Sequence, residues 1–254
     1  MIVGFVGAGN MAAAMARGWA SAEDGPEQML FTDLDSSRAA SLAEEVGGEA
    51  LGSTAELAER CDLLVLAVKP QALEDVAREA QGAAAVLSLL AATPLQRVAG
   101  AFPDAPAFRV MPNQPVEVRR GVLCYCASEG APGELERDVK ALLELLGRVV
   151  ELDDELFDAA TALSACSPAY VALVVQEIAE AGAADGLDAD LALSLMVDTA
   201  AGTAELLRRH DPAEVREAVA SPGGGTEAGL EALERHAAEA FEEAVRASLA
   251  RMRE

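Results

Sequence analysis

The sequence predicts an α/β fold, with an N-terminal Rossmann-like doubly wound sheet followed by an all-helical C-terminal domain. Three observations support this prediction. Short apolar strands alternate with helices over residues 1–152, a glycine-rich turn follows the first strand, and only helical periodicity remains from residue 153 onward. We therefore expect two domains, 1–152 and 153–254, in a chain of 254 residues whose 52% apolar content allows a substantial core.

The N-terminal domain is expected to consist of successive β-α-β units with right-handed crossovers. Predicted strands lie at Ile2–Val6, Met29–Thr32, around Ala50, Leu63–Val68, Ala84–Ser88, Phe108–Met111, Gly121–Cys126 and Val149–Leu152. Predicted helices lie at Met11–Trp19, Ser37–Glu45, Ala55–Arg60 and Glu134–Leu146. Thr93 and Pro94 are typical of the N-cap and first residue of a further short helix, and Gly147 is typical of a C-cap.

The glycine-rich turn after the first strand is the most informative motif. Gly7 allows a tight turn, and Gly9 lets the backbone approach phosphate groups. An Ala-rich helix then opens with Asn10, Met11 and Ala12. This spacing is typical of a dinucleotide pyrophosphate resting on a helix N-terminus, where the helix dipole favours an anion. We expect a dinucleotide cofactor to bind here; a flexible loop without a ligand is the alternative.

Asp33 ends the second predicted strand, about 24 residues after Gly9. A carboxylate at this position accepts hydrogen bonds from the adenosine ribose hydroxyls and repels a 2′-phosphate. Arg38 offers a phosphate contact instead, and Asp33 could also belong with Asp35 to the start of the next helix. The sequence thus predicts NADPH or NADH as the cofactor, and Asp33 favours NADH.

The apolar run at Leu63–Val68 leads into a second candidate segment. Ligands of open α/β sheets lie outside the carboxyl ends of the strands, where Ala67, Val68, Lys69 and Pro70 emerge. Val68 and Pro70 would form an apolar shelf for a base or nicotinamide ring, and Lys69 would reach the ribose or phosphates. A simple strand-to-helix turn is the alternative. Lysine is rare in this chain, with Lys69 and Lys140 its only two, and this favours function.

A stiff loop follows the strand at Phe108–Met111, because prolines stand at positions 112 and 115. Such a loop could hold Asn113 towards a nicotinamide carboxamide or a substrate. A rigid loop without a ligand explains the same residues equally well.

Helices are expected in the C-terminal domain at 154–164, 167–185, 189–209, 212–220 and 226–252. The segment Pro168–Ala184 is apolar on nearly every side. A helical domain of this size cannot easily cover such a segment by itself. We therefore expect it to be buried between helices or across a dimer interface.

The loop before the last predicted helix is rich in glycine. Ser221 and Pro222 precede Gly223, Gly224 and Gly225, and Thr226 then opens the helix. Successive backbone N–H groups in this loop would form a neutral pocket suited to a carboxylate. A flexible hinge between helices is the alternative.

These motifs, in this order, resemble pyrroline-5-carboxylate reductase, and the resemblance covers essentially the whole chain. It runs through Gly7-Ala8-Gly9-Asn10-Met11, Ala67-Val68-Lys69-Pro70, Met111-Pro112-Asn113, Ser164…Pro168-Ala169-Tyr170 and Ser221-Pro222-Gly223-Gly224. The resemblance implies that the helical domain is a dimerisation domain, in dimers that associate further. It also implies hydride transfer from NAD(P)H to the C5 imine carbon of 1-pyrroline-5-carboxylate, giving L-proline. By the same resemblance, Thr226 hydrogen-bonds the ring nitrogen, and the backbone of Gly223–Gly225 holds the carboxylate.

The chain departs from the family pattern at several positions. The family's usual Ser-Gly-Ser-Gly-Pro-Ala-Tyr is replaced here by the segment 164–170, which contains Ala165, Cys166 and Ser167. Gly225 stands where the family commonly has Thr or Ala. Gln114 stands where the family commonly has Thr. Two alternatives therefore stay open: a reductase of another cyclic or secondary imine, and a non-catalytic nicotinamide-binding sensor. A β-hydroxyacid dehydrogenase would need a Lys or His base, and no lysine follows residue 152.

The composition argues against several classes of partner. A net charge of −24 disfavours nucleic acid and anionic membrane surfaces. No run approaches the ~20 apolar residues that span a bilayer, and a strand starting at residue 2 leaves no room for a signal peptide. The four cysteines show neither disulfide nor zinc spacing, so we expect no metal and a cytoplasmic protein. The acid excess is typical of proteins from a salt-rich cytoplasm. A GC-rich genome that favours Arg and Ala is the alternative explanation of the composition.

Overall fold

The computed structural model describes residues 1–252. Contacts within the chain define two compact units, of which one contains Met1–Cys166 and the other Ser167–Ala250. The helix that follows the last strand packs against the sheet and so belongs to the first unit. The domain boundary at residue 152 stays a prediction, since compact units and sequence domains need not coincide.

Within the described residues, the first unit contains one eight-stranded sheet. The strands are Ile2–Val6 (β1), Gln28–Thr32 (β2), Glu49–Ala50 (β3), Leu63–Leu66 (β4), Val86–Ser88 (β5), Ala107–Met111 (β6), Gly121–Ala127 (β7) and Gly147–Glu151 (β8). Their spatial order is β3-β2-β1-β4-β5-β6-β7-β8. The chain winds outward from β1 in both directions, so the predicted doubly wound, Rossmann-like sheet is confirmed.

The two last strands run against the other six. Strands β6 and β7 are antiparallel, with Arg109 opposite Cys126, whereas β8 is parallel to β7. The connection between β6 and β7 contains only a 3₁₀ turn, Gln114–Val118. A parallel crossover needs about a dozen residues or more, and this connection is too short. The expectation of parallel β-α-β units throughout the domain is therefore wrong for this pair.

Helices cover both faces of the sheet. They are Asn10–Ala20 (α1), Ser36–Val46 (α2), Thr54–Arg60 (α3), Leu73–Glu79 (α4), Leu95–Ala101 (α5), Gly133–Glu144 (α6) and Phe157–Ser164 (α7). Alternate strand residues point to opposite faces, which creates two buried clusters. Phe5 packs with Trp19 and Tyr125 on one face, and Leu64 packs with Val98 on the other.

The start of α5 differs from its prediction. Pro94 is the N-cap of this helix and has no side-chain cap hydrogen bond, so Thr93 and Pro94 are not its N-cap and first residue. The N–H of Leu95 instead donates to Oδ2 of Asp154 at 2.9 Å. The capping group thus comes from a residue far along the chain, where local sequence rules do not reach.

The second unit is helical throughout its regular structure. Its helices are Ser167–Ala184 (α8), Ala189–Leu206 (α9), Pro212–Val219 (α10), Gly225–Glu234 (α11) and Ala237–Met252 (α12). The single helix predicted over 226–252 is therefore two helices, α11 and α12. Gly147 is also not a C-cap: α6 ends with Leu145 as its C-cap, and Gly147 begins β8.

Helices α8 and α9 pack against each other but leave apolar side chains exposed. These exposed residues include Val171, Leu173, Val174, Ile178, Leu191, Leu193, Leu195 and Val197. The expectation that Pro168–Ala184 is buried between helices of its own chain is therefore wrong. Burial across a dimer interface is the expectation that remains.

The stretch Asp154–Ala184 contains a window with a mean hydropathy of 1.4, of which 11% is buried. By length and composition alone this stretch passes the test for one membrane-crossing helix, a test that core helices also pass. Exposed apolar helix surface also occurs where two protein chains pair.

Candidate functional site

The glycine-rich turn joins β1 to α1 and touches the end of β4. The N–H of Gly7 donates to the carbonyl oxygen of Thr32 at 2.8 Å. Gly7 has a φ of +98°, and a Cβ at this position would lie 2.5 Å from the carbonyl oxygen of Ala67. Two features therefore exclude a side chain at this position: the backbone conformation of Gly7 and the nearby backbone of Ala67, the residue that follows β4.

Gly9 lies in different surroundings. It is the N-cap of α1, and a Cβ added to it would meet no atom within 4 Å. Gly9 has no side chain that could cap the helix, and the first turn of α1 contains no acidic residue. The space beside the Cα of Gly9 is therefore open, at the end of α1 where the helix dipole adds positive potential. This geometry fits a pyrophosphate.

The carboxylate of Asp33 connects the glycine turn to the end of β2. Its Oδ2 accepts from the N–H of Ala8 at 2.7 Å, and its Oδ1 accepts from the N–H of Asp35 at 2.9 Å. The contact with Ala8 is absent from the sequence prediction. Asp35, rather than Asp33, is the N-cap of α2. Carboxylate oxygens have further lone pairs, so Asp33 can still accept hydrogen bonds from a ribose.

The segment after β4 lies next to the glycine turn. The strand ends at Leu66, two residues earlier than predicted. The backbone of Ala67 and the Cγ1 of Val68 are the atoms nearest to the Cβ position of Gly7. Lys69 is exposed, and Pro70 begins a short 3₁₀ helix, as the alternative strand-to-helix interpretation predicts.

The side chain of Asn113 is buried and bonded to main-chain groups. Its Nδ2 donates to the carbonyl oxygen of Ser164 at 3.0 Å, and its Oδ1 accepts from the N–H of Val122 at 2.8 Å. Asn113 thus joins the loop after β6 to β7 and to the end of α7. One N–H of the amide is left for another partner, so its contact with a cofactor stays a prediction.

Arg109 and Asp154 form an ion pair that the sequence prediction missed. The Arg109 side chain is 3% exposed, and its Nη1 lies 2.6 Å from Oδ1 of Asp154. The guanidinium carbon lies 4.4 Å from the centre of the Phe157 ring. Because Asp154 also caps α5, one carboxylate links β6, α5 and the start of α7. The available sequence signal was an arginine inside an apolar strand.

The cysteines are free thiols in the described residues. Burial raises the pKa of the Cys61 thiol to about 11. Burial, followed by the charge of Asp154, raises the pKa of Cys126 to about 12. Among residues 1–252, no group of three or more His, Cys, Asp or Glu side chains is placed to hold a metal ion.

The glycine-rich loop of the second unit forms a tight turn before α11. The N–H of Gly224 donates to the carbonyl oxygen of Ser221 at 2.9 Å, and Gly223 has a φ of +73°. Gly224 is the N-cap of α11, and Thr226 is exposed in its first turn. The N–H of Gly223 is engaged as well, because it donates to Oε2 of Glu227 at 2.8 Å, so two of the three expected carboxylate donors already have partners within the loop.

Comparison with known families matches both ends of the chain. Residues 154–254 match a family described as pyrroline-5-carboxylate reductase dimerisation. Residues 2–92 match a family described as NADP oxidoreductase, coenzyme F420-dependent. Curated relatives include pyrroline-5-carboxylate reductase of Synechocystis, 36% identical over 99% of this chain and 97% of the relative. The Thermus thermophilus protein of that name is also 36% identical, with the same coverage.

Solved structures show the same architecture along the whole chain. The pyrroline-5-carboxylate reductase of Streptococcus pyogenes has a TM-score of 0.91 and 28% identity, covering 100% of this chain and 98% of its own. The pyrroline carboxylate reductase of Plasmodium falciparum, which has NADP bound, has a TM-score of 0.87 and 26% identity, covering 100% and 97%.

Proposed function

The chain belongs to the pyrroline-5-carboxylate reductase family, and from this premise we propose how its residues serve the reaction. It catalyses hydride transfer from NAD(P)H to the C5 imine carbon of 1-pyrroline-5-carboxylate, which gives L-proline. The observation that carries this assignment is the 36% identity to relatives of that name over 99% of the chain.

The glycine turn and its neighbours are proposed to hold the cofactor, which supplies the hydride when it is bound. Support comes from the open space beside Gly9 and from the absence of any acid in the first turn of α1. The proposed phosphate contacts are the backbone groups of Gly7, Gly9, Asn10 and Met11. The other proposed contacts are Asp33 at the ribose, Asn113, and the segment Ala67, Val68, Lys69 and Pro70.

We propose that Asp33 makes NADH the preferred cofactor. Its carboxylate lies at the end of β2 and already contacts the glycine turn. A 2′-phosphate placed against this carboxylate would meet a like charge at short range. Arg38 is exposed in the first turn of α2 and offers the opposite preference, so the ratio of activities with NADH and NADPH decides between these residues.

The loop before α11 is proposed to bind the substrate. The backbone N–H groups of Gly223, Gly224 and Gly225, with Ser221, are assigned to the substrate carboxylate, which would share or replace the present partners of Gly223 and Gly224. Thr226 is assigned to the ring nitrogen, directly or through water. A protonated cyclic iminium is already electrophilic, so these residues mainly orient the ring and exclude water.

The chain forms a homodimer through its helical domain, as the match to the dimerisation family supports. The exposed apolar side chains of α8 and α9 supply a surface that such a dimer would cover. Association of dimers into a higher oligomer and a cytoplasmic location are further proposals.

The proposed function is tested by following NADH and NADPH oxidation with 1-pyrroline-5-carboxylate, at low and at multimolar salt. Turnover with formation of L-proline supports it. Absence of turnover while the cofactor still binds would favour a reductase of another imine, or a sensor. In the same assay, Thr226→Ala should lower kcat and leave the cofactor KM nearly unchanged, and Thr226→Ser should restore part of kcat. Equal loss of turnover and cofactor affinity would reject the substrate-side role of Thr226.

A further inference from the structure

The side-chain carboxylate of Glu227 is hydrogen-bonded to a backbone N–H that the proposed function assigns to the substrate carboxylate. Its Oε2 accepts from the N–H of Gly223 at 2.8 Å. The substrate, 1-pyrroline-5-carboxylate, would bring a carboxylate to this same loop. The side chain of Glu227 therefore occupies one donor of the proposed site with the same chemical group as the substrate.

The turn does not depend on Glu227 for its shape. Pro222 and Gly223 occupy the second and third positions of a turn closed by the 2.9 Å hydrogen bond from the N–H of Gly224 to Ser221. Proline at the second position and a glycine with φ of +73° at the third are the signature of a type II turn. Pro222 and Gly223 therefore suffice to form this turn, and the hydrogen bond to Glu227 is not needed for its conformation.

We propose that Glu227 competes with the substrate carboxylate for the N–H of Gly223 and thereby weakens substrate binding. This proposal rests on the proposed function of the loop. Glu227 is exposed, so its side chain can swing away at small cost. An isolated anion that displaces Glu227 exchanges one carboxylate contact for another and gains little. A carboxylate on a ring whose nitrogen also reaches Thr226 gains a second contact and still binds, while Glu227 lowers the affinity of the loop for the imino acid and for simple anions alike.

The test compares Glu227→Ala and Glu227→Gln in the full-length protein. Glu231→Ala is the matched control, because Glu231 is an exposed acid one turn further along the same helix. The readouts are kcat, the KM for 1-pyrroline-5-carboxylate, the KM for the cofactor, and inhibition by acetate and by cyclopentanecarboxylate. Thermal denaturation of each variant checks that the fold is retained.

Loss of the competing group should lower the KM for 1-pyrroline-5-carboxylate by about three- to tenfold in Glu227→Ala, the range for the net contribution of one ordinary hydrogen bond at an exposed position. Acetate and cyclopentanecarboxylate should inhibit this variant more strongly than the wild type. Glu227→Gln should show a smaller change in the same direction, since a neutral amide oxygen is a weaker acceptor. The cofactor KM and the Glu231→Ala control should not change.

The proposal would be overturned if Glu227→Ala raised the KM for 1-pyrroline-5-carboxylate and Glu227→Gln returned it to the wild-type value. Glu227 would then stabilise the turn. An unchanged KM together with unchanged anion inhibition would also overturn it. Failure of the proposed function is a separate result, because the wild type would then not reduce 1-pyrroline-5-carboxylate at all.

Discussion

The carboxylate of Asp33 accepts a hydrogen bond from the N–H of Ala8 at 2.7 Å, across 25 residues of sequence. Ala8 is the central residue of the glycine turn, between the two glycines. The end of β2 therefore holds the turn in place while also supplying the charge proposed to select the cofactor. The two roles of Asp33 predict different kinetic effects.

Substitution of Asp33 should change both cofactor affinity and cofactor choice. Asp33→Ala removes the bond to Ala8, so the KM for both cofactors should rise, and that for NADH by about tenfold, the effect of one lost hydrogen bond to a charged group. It also removes the negative charge, so the NADH preference should decrease. Asp33→Asn retains one oxygen acceptor and should raise both KM values less.

Steady-state kinetics with both cofactors measures these effects, with Asp35→Ala as a control that removes the cap of α2 but no contact of the turn. An unchanged ratio of NADH to NADPH activity would remove Asp33 from the ribose site. Unchanged KM values for both cofactors would remove it from the support of the turn.

The two glycines of the turn should respond differently to the same substitution. Gly7→Ala places a Cβ 2.5 Å from the Ala67 carbonyl oxygen in a left-handed conformation, and such strain costs about 1–3 kcal/mol or more of folding free energy. Gly9→Ala adds a methyl group to open space, so the protein should fold normally but bind the cofactor more weakly. Thermal denaturation and NADH fluorescence titration separate these effects; equal loss of Tm in both variants would contradict them.

The ion pair between Arg109 and Asp154 should contribute strongly to stability. Asp154→Ala leaves the Arg109 charge buried and uncompensated, at a cost of about 3 kcal/mol in the free energy of unfolding. The double variant with Arg109→Met should recover part of this loss, because the charge itself is then removed. Urea denaturation is the measurement.

Glu74→Ala is the control for this pair, because Glu74 pairs with Arg97 at the exposed surface. It should leave the unfolding midpoint unchanged. A double variant less stable than Asp154→Ala alone would show that apolar packing around Arg109, and not its charge, is decisive.

The buried thiol of Cys61 should make stability decrease at alkaline pH. Its pKa is raised by burial from its ordinary value of 9.0 to about 11. Between these values the unfolded chain loses the thiol proton while the native chain retains it. Stability from this group is therefore complete below pH 9 and falls as the pH rises towards 11, by at most about 1.4 kcal/mol per pH unit.

Urea denaturation between pH 8 and 11 measures this slope, and Cys61→Ala should reduce it relative to the wild type. The same thiol should react with iodoacetamide slowly in the native protein and rapidly in urea. Rapid native labelling at pH 8 would contradict the raised pKa.

The sequence by itself determined the features that depend on a few neighbouring residues. The first strand, Ile2–Val6, and the helix after Gly9 are set by an apolar run, the glycine spacing and small residues. The turn at Pro222 and Gly223 has the same local origin. Such features depend on backbone conformation within one or two turns, so the residue types suffice to predict them.

Only the tertiary structure decided the contacts that join distant segments. The antiparallel direction of β7, the cap of α5 by Asp154, and the bond from Ala8 to Asp33 each depend on where the folded chain brings remote groups together. A hydrogen bond needs its two atoms about 3 Å apart. Chain positions tens of residues apart carry no information about such a distance until the packed sheet and helices have fixed it.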